Sequence, residues 1–354
     1  MKRYRLDWVV KLCCIWMMCG IAHLSSGSPL FGGEPMAARV VVVGQAPFIA
    51  LHLLYAFPEG KQRLVGYERK YNIAETFLPL LDTALDQKIV LGTNPGPEEI
   101  AALKPDLVIA KSSHDGPLSR SLSVLGIPML HLGLENPDMF LKDVETMGRV
   151  LGNPGRAEEI IAYYRSRLDM LTAGLSGKPA DRKPKVLVVD YNEKGGNVSV
   201  RVPAASWIQT LQAGLAGGKP VWTDHISIQD GWQVVGFEQI AAWNPEKIVV
   251  IVGFRLDPCQ VMATLKADAR WRALPALIYR EFYPFPQDIY GWDTPDPRWI
   301  LGALWMATKM HPAEFAAVEM TQEIYTFYHR LYGLEKAVVD KEILPRVQLN
   351  GCLW

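Results

Sequence analysis

One pattern occurs twice in this chain, as Glu98-Glu-Ile-Ala-Ala-Leu-Lys-Pro-Asp-Leu-Val-Ile109 and as Glu238-Gln-Ile-Ala-Ala-Trp-Asn-Pro-Glu-Lys-Ile-Val249. The offset is 140 residues, and five of the twelve positions are identical. Because a proline disfavours helical geometry in the residue before it, each copy predicts a short helix followed by an apolar strand. The constant register predicts two related lobes, with chance similarity of helix-proline-strand units as the alternative.

The apolar runs around each copy predict parallel sheets. Arg39-Val-Val-Val-Val-Gly44 opens the first lobe, and Lys185-Val-Leu-Val-Val-Asp190 opens the second. Runs without polar alternation, separated by helices, are typical of parallel strands buried on both faces. The sequence therefore predicts an α/β fold with two Rossmann-like lobes, each built on a mostly parallel sheet.

A long helical segment is expected to join the lobes. Apolar residues recur at helical spacing from Pro137 to Leu175, interrupted only by Gly152-Asn-Pro-Gly155,. Such a connecting helix restricts the lobes to a small rocking motion. The predicted division is an N-terminal lobe at 38–136, the connecting helix at 137–175, a C-terminal lobe at 184–331 and a tail at 332–354.

The first 28 residues have the pattern of an export signal. Four basic residues between Lys2 and Lys11 precede an apolar run from Leu12 to Ala22. Spanning a bilayer takes about twenty apolar residues, so this shorter run fits a cleaved signal peptide better than a permanent anchor. We expect a periplasmic or otherwise extracytoplasmic protein, and the cleavage site and any membrane anchoring stay open.

Removal of the signal peptide leaves two cysteines, Cys259 and Cys352. An oxidising compartment allows the two to pair, which makes them a candidate disulfide. Two unpaired thiols are the alternative, and the sequence does not decide between them.

Composition and motifs exclude several classes of protein. The 37 basic and 37 acidic residues balance, so the chain lacks the basic surplus of a nucleic-acid binder,. The frames G-x-S-x-G, G-x-x-x-x-G-K-[ST], G-x-G-x-x-G, H-E-x-x-H and C-x-x-C are missing from the sequence,. We therefore expect a binding protein with no intrinsic cofactor, and not an enzyme.

These features together resemble the periplasmic substrate-binding proteins of ABC importers for iron-siderophores, haem and cobalamin, whose two lobes are bridged by a long backbone helix. The resemblance covers about residues 38–330 and includes the export signal, the repeated pattern, Gly126-Ile-Pro128, Gly236-Phe237, Trp271-Arg-Ala-Leu-Pro-Ala276 and Trp292-Asp-Thr-Pro-Asp-Pro-Arg-Trp-Ile-Leu-Gly302. Two features depart from it, the missing lipoprotein acceptor sequence and the tail from Tyr332 to Trp354. The resemblance implies a monomeric receptor whose partners are an ABC permease and its ATPase.

The resemblance also implies a role for the repeated glutamate. In the family, one glutamate near the top of each lobe forms salt bridges with arginines of the permease, and the matching positions here are Glu98 and Glu238. The alternative is stabilisation of the helix N-terminus, typically worth about 0.3 to 1 kcal/mol.

The ligand is expected between the lobes, where loops leave the carboxyl ends of parallel strands. The candidate ligand-binding residues are Tyr67, Thr93, Asn94, His114, Tyr191, Asn192, Arg201, Trp232 and Tyr283. Trp232 is equivalent to Gly92 in the repeat and is the strongest candidate for an aromatic platform, with a core tryptophan as its alternative. Arg201 is expected to supply a cation for an anionic chelate, whereas Trp207, Trp243, Trp299 and Trp305 are expected in the core.

The expected ligand is a metal chelate, with an iron-siderophore first. Haem or a corrinoid is second, and a molybdate-like oxyanion is a further alternative that favours a smaller, more polar cleft. A two-lobed metallocluster enzyme is the alternative from another class, but cluster ligation needs cysteines in the cleft, and only Cys259 comes near. Direct contact between a metal and protein atoms stays open.

Overall fold

A computed structural model describes residues 36–69, 76–111, 116–179, 182–194, 197–226, 231–253, 256–349 and 352. The predicted signal peptide and His114 lie outside these ranges. Within them, no helix is long and apolar enough to cross a membrane.

The first sheet is entirely parallel, in the order β3-β2-β1-β4-β5. Its strands are β1 (Val40–Val43), β2 (Leu64–Glu68), β3 (Ile89–Leu91), β4 (Leu107–Lys111) and β5 (Met129–Leu132). The helices around it are α1 (Pro47–Tyr55), α2 (Pro58–Arg63), α3 (Leu78–Leu81), α4 (Pro97–Ala102) and α5 (Pro117–Val124), with a 3₁₀ turn at Leu85–Gln87. All four valines of β1 are fully buried, because helices cover both faces of a parallel sheet,.

The second sheet has the order β11-β10-β6-β7-β9, with β8 also paired to β6. Its strands are β6 (Lys185–Lys194), β7 (Asn197–Pro203), β8 (Lys219–Pro220), β9 (Trp232–Val234), β10 (Lys247–Val252) and β11 (Phe282–Pro284). β10 runs parallel to β6 and β11, whereas β6, β7 and β9 form an antiparallel edge. The predicted fold class, α/β with two mostly parallel sheets, is confirmed.

The second half of the chain also contains helices between and after its strands. They are α8 (Ile208–Leu215), α9 (Phe237–Trp243), α10 (Pro258–Ala267), α11 (Ala269–Arg272), α12 (Pro275–Ile278), α13 (Trp299–Met310), α14 (Met320–Tyr332) and α15 (Lys336–Val338), followed by a π turn at Val339–Ile343 and a 3₁₀ turn at Leu344–Arg346. α13 is buried along most of its length and packs against α8, α14 and the connecting segment.

The sequence repeat is also a repeat of backbone geometry. Ile100 in α4 and Ile240 in α9 are the buried residues of equivalent turns. Lys104 and Asn244 both have φ of 48°, in the left-handed region, and each precedes a proline. Two L-residues adopt this unfavourable geometry at matched positions, and each delivers the chain into a strand, β4 or β10.

The connecting segment is two helices, where the sequence analysis expected one over 137–175. α6 covers Pro137–Val150 and α7 covers Pro154–Gly174, and the two pack against each other. Gly152, with φ of 67°, ends the first helix, and Asn153 caps the second by accepting a hydrogen bond from the Arg156 amide at 3.0 Å,. α7 alone, about 30 Å long, packs against both α13 and α14,.

The C-terminal tail packs onto the second half. A disulfide joins Cys259 at the start of α10 to Cys352, with their Cα atoms 5.2 Å apart. Trp305 Nε1 donates to the Leu349 carbonyl at 2.9 Å. The structure therefore pairs the two cysteines and fixes the segment that the resemblance did not explain.

A buried charge network links the two halves of the molecule. His52 of α1 lies against Asp296, and Arg298 forms ion pairs with Asp296 and with Asp288, the latter at 2.7 Å. Tyr328 of α14 donates to Asp288 at 2.5 Å. Burial acts to raise the pKa of Asp296, but Arg298 and His52 outweigh it and hold that pKa at about 2. Burial also lowers the pKa of His52. The pairing offsets the cost of removing these charges from water.

Candidate functional site

A cleft of about 940 Å³ lies where the carboxyl ends of the two sheets meet. One wall comes from the first half and consists of Gln45, Ala46, Lys111, Glu135, Asn136 and Met139. The other comes from the second half and consists of Asp190, Ser206, Trp207, Gln209, Gly231, Trp232, Ile251, Val252, Gly253, Tyr290, Gly291, Asp293, Thr294 and Pro295. In open α/β sheets, ligands bind at the carboxyl ends of the parallel strands, and this cleft lies at that position.

Two tryptophans form an aromatic surface on the second wall. Trp232 is half-buried and lines the cleft, and its ring packs edge-on against Trp207, with ring centroids 5.6 Å apart and planes at 87°. The core assignment of Trp207 is therefore wrong. This residue is the N-cap of α8, not an interior position of that helix, and it remains partly exposed.

The other three tryptophans expected in the core are found there. Trp299 and Trp305 are fully buried in α13, and Trp243 at the end of α9 is 9% exposed. The apolar helical spacing on which that expectation rested holds for these residues.

Arg201 forms an ion pair with a neighbouring acid, Asp190. Its Nε donates to Asp190 Oδ2 at 2.8 Å across the β6–β7 pairing, and its guanidinium lies 5.4 Å from the centroid of the Trp232 ring. Burial raises the pKa of Asp190, and Arg201 opposes that shift. Arg201 therefore contacts both Asp190 and Trp232, and its charge is paired with that of Asp190, whereas the sequence analysis expected it to supply a cation for an anionic ligand.

Asp293 is the most perturbed acid of the cleft. Burial, followed by the nearby Asp190 and Asp296, raises its pKa to about 7, against a smaller lowering effect of a hydrogen bond from Gln209. Gln209 is 5% exposed, and its Oε1 has no hydrogen-bond partner among the described residues. The sequence analysis quotes Asp293 within the segment Trp292–Gly302 but assigns neither residue to the ligand site, because only the fold brings α8 to the segment after β11.

The first wall is held by its own polar contacts. Lys111 and Glu135 form an ion pair at the cleft surface. Glu68, at the end of β2, accepts from the Gly44 amide at 2.6 Å and from the Asn94 amide at 2.8 Å. Glu68 thus fixes the loop that carries Gln45. Its position next to Tyr67, which the sequence analysis did name, was the only available signal.

The remaining described candidates for ligand binding are not among the residues that line the cleft. Tyr67 is buried, Thr93 donates to the Arg69 carbonyl, Tyr191 donates to Glu193, Asn192 donates to Ser199, and Tyr283 donates to Glu281. Asp190 lines the cleft, whereas its neighbour Tyr191 does not.

Glu98 and Glu238 are exposed in the first turns of α4 and α9. Each follows a glycine N-cap, Gly96 or Gly236, so the two positions are equivalent in structure as well as in sequence. No set of three or more His, Cys, Asp or Glu side chains within the described ranges is arranged to hold a metal ion.

Solved structures share this architecture. A periplasmic solute-binding protein from Veillonella parvula matches with a TM-score of 0.70 at 21% identity, over 88% of this chain and 92% of its own. MolA of Haemophilus influenzae, bound to molybdate, matches with a TM-score of 0.67 at 19% identity, over 85% and 94%. CeuE of Helicobacter pylori, with Ni(II) bound, matches with a TM-score of 0.65 at 18% identity, over 88% and 95%.

Sequence comparison gives the family. The molybdate-binding protein MolA of Haemophilus influenzae is 21% identical over an alignment of 256 residues, and the match covers 66% of this chain and 69% of MolA. The family described as Periplasmic binding protein matches residues 64–289, well over half of the chain. With two α/β halves facing a common cleft, this chain belongs to the family described as Periplasmic binding protein.

Proposed function

We propose that this protein captures a metal chelate in the cleft and delivers it to an ABC permease and its ATPase, with an iron-siderophore as the first candidate. The observation that carries the proposal is a cleft of about 940 Å³ with Trp207 and Trp232 on one wall. Sites for ligands of several hundred daltons have volumes of about 300 to 1,000 Å³ and are lined by apolar and aromatic side chains. An iron chelate with an organic shell suits both properties.

An oxyanion receptor is the second candidate, because the relative MolA is named a molybdate-binding protein. A tetrahedral oxyanion fills only a small part of this cleft, and it needs converging donors. Among the described residues, Lys111 is paired with Glu135 and Arg201 with Asp190, so neither is the free cation that such a ligand requires,. Haem or a corrinoid suits the tryptophan surface as a siderophore does, and the binding test separates these ligands.

The protein is proposed as a receptor and not an enzyme. A metallocluster between the halves needs cysteine ligands, whereas Cys259 lies in α10 and is bonded to Cys352,. Export by the 1–28 signal peptide, a monomeric state and permease contact through Glu98 and Glu238 belong to the same proposal. Their support is the equivalence and exposure of the two glutamates and the family's periplasmic location.

Two measurements test the proposal. Native mass spectrometry and absorption spectra of protein purified from its own periplasm identify any chelate that stays bound. Titration of ligand-free protein, followed by tryptophan emission, then compares ferrioxamine B, ferric enterobactin, haemin, cyanocobalamin and molybdate. We expect a chelate to bind and to quench tryptophan emission, because Trp207 and Trp232 both line the cleft. Binding of molybdate alone, or of none of the five, contradicts the proposal.

A further inference from the structure

The second wall of the cleft presents three hydrogen-bond acceptors together. Asp190, Gln209 and Asp293 all line the cavity, although they come from β6, from α8 and from the segment after β11. Gln209 Oε1 is buried without a partner among the described residues. A buried acceptor left unpaired costs about 1 to 3 kcal/mol, so a bound group that donates to it gains affinity.

Among the described residues around the cleft, the ion pairs leave the charge of one acid, Asp293, unmatched. Lys111 is paired with Glu135, and Arg201 is paired with Asp190. Across the described residues, no lysine, arginine or histidine forms an ion pair with Asp293. Once Asp293 is ionised, the described residues of the second wall therefore carry a net negative charge beside an unpaired acceptor.

We propose that Asp190, Gln209 and Asp293 form a subsite for a cationic hydrogen-bond donor of the ligand, a protonated amine, while Trp207 and Trp232 contact its apolar part. The inference rests on the proposed function and specifies a ligand group that the function leaves open. An ammonium supplies the donor that Gln209 Oε1 lacks and balances the unmatched charge of Asp293,.

The subsite makes binding pH-dependent. Asp190 and Asp296 face Asp293 and raise its pKa together with burial, Gln209 lowers it, and the charge of Arg201 is neutralised by Asp190. With a pKa of about 7, Asp293 is mostly protonated at pH 6 and mostly ionised at pH 8. A bound ammonium favours the ionised form, so affinity for a cationic ligand rises with pH and binding releases a proton.

The test uses two iron chelates that differ by one charge. Ferrioxamine B carries a free amine that is protonated at neutral pH, and its N-acetyl derivative is neutral there and otherwise the same. Tryptophan quenching gives both affinities at pH 6 and pH 8 for wild type, for Asp293→Asn and for a control, Asp224→Asn, at an exposed acid outside the cavity. We expect wild type and the control to prefer the amine by about tenfold at pH 8 and less at pH 6, and Asp293→Asn to lose the preference.

The outcomes separate the inference from the proposed function. Equal affinity of wild type for the two chelates at pH 8, or a preference that survives in Asp293→Asn, overturns the inference alone. Tight binding of another chelate, together with no binding of ferrioxamine B, also overturns the inference alone. Failure of every chelate to bind overturns the proposed function and the inference with it. Circular dichroism of Asp293→Asn shows whether the variant is folded. If it is not, the affinities of wild-type protein for the two chelates still decide the inference.

Discussion

His52 and Asp296 lie 2.9 Å apart, from Nδ1 to Oδ2, although 244 residues separate them in the chain. Both are fully buried, one on the first helix of the first half and the other in the segment that follows the last strand of the second. Arg298 completes the group and pairs with the same carboxylate. The contact therefore fixes the two halves to each other beneath the cleft.

Loss of the Asp296 carboxylate should destabilise the fold strongly. We expect Asp296→Ala to lower the free energy of unfolding by about 3 to 5 kcal/mol, because it leaves a buried arginine undercompensated. Asp268→Ala is the matched control, since Asp268 and Arg270 repeat the same Asp-x-Arg pairing and turn on the surface. Urea denaturation measures both. Similar losses in the two variants would contradict the role of burial.

The disulfide between Cys259 and Cys352 should contribute to stability. The bond spans 93 residues, and in the chain-entropy model opening a loop of that size costs about 4.6 kcal/mol of stability,. We expect Cys259→Ser with Cys352→Ser to lower the urea midpoint and to make it insensitive to reductant, whereas reductant lowers the wild-type midpoint. Two titratable thiols in denatured, unreduced wild-type protein would rule the bond out.

The tryptophan surface should contribute to ligand affinity. We expect Trp232→Ala and Trp207→Ala each to weaken binding of the tightest chelate of the panel by about tenfold, through lost contact area and lost ring contact. Tyr279→Ala is the control, because Tyr279 is 75% exposed and lies outside the cavity. Fluorescence titration measures all three. Wild-type affinity in both tryptophan variants would move the site to the first wall.

The paired glutamates should affect delivery and not capture. We expect Glu98→Ala with Glu238→Ala to leave chelate affinity unchanged and to reduce uptake through the permease sharply, because both side chains are exposed outside the cavity. Glu145→Ala with Glu158→Ala, at exposed positions of α6 and α7, is the control and should transport normally. Wild-type uptake by the first variant would refute docking through these residues.

Asp293 should make the empty protein less stable as pH rises. Its folded pKa of about 7 exceeds the ordinary value of 3.8, so the folded state holds a proton that the unfolded chain gives up. Stability is lost between about pH 4 and pH 7, at roughly 1.4 kcal/mol per pKa unit. We expect Asp293→Asn to raise the melting temperature at pH 8 and to change it little at pH 4. Equal shifts at both pH values would contradict a buried, titrating carboxyl.

The sequence predicts the framework of this protein better than its cleft. The repeated helix-proline-strand unit sets backbone geometry within a few residues, so the equivalence of Lys104 and Asn244 follows from their neighbours. Cleft residues depend on contacts between distant segments. The sequence therefore does not predict that Asp293, Gln209 and Asp190 line one wall. The break between the two helices at 137–174 follows from Gly152 and Pro154, which the sequence does show.

The last long helix completes the first half of the molecule. Tyr332 donates to the His52 carbonyl at 3.2 Å, 280 residues away, and its ring and that of Tyr328 pack on Phe77. A chain synthesised from its amino terminus exposes this part of its first core until residue 332 has emerged. A premature stop before residue 320 therefore leaves the first sheet present but uncovered at Phe77, and such truncated chains should aggregate or be degraded.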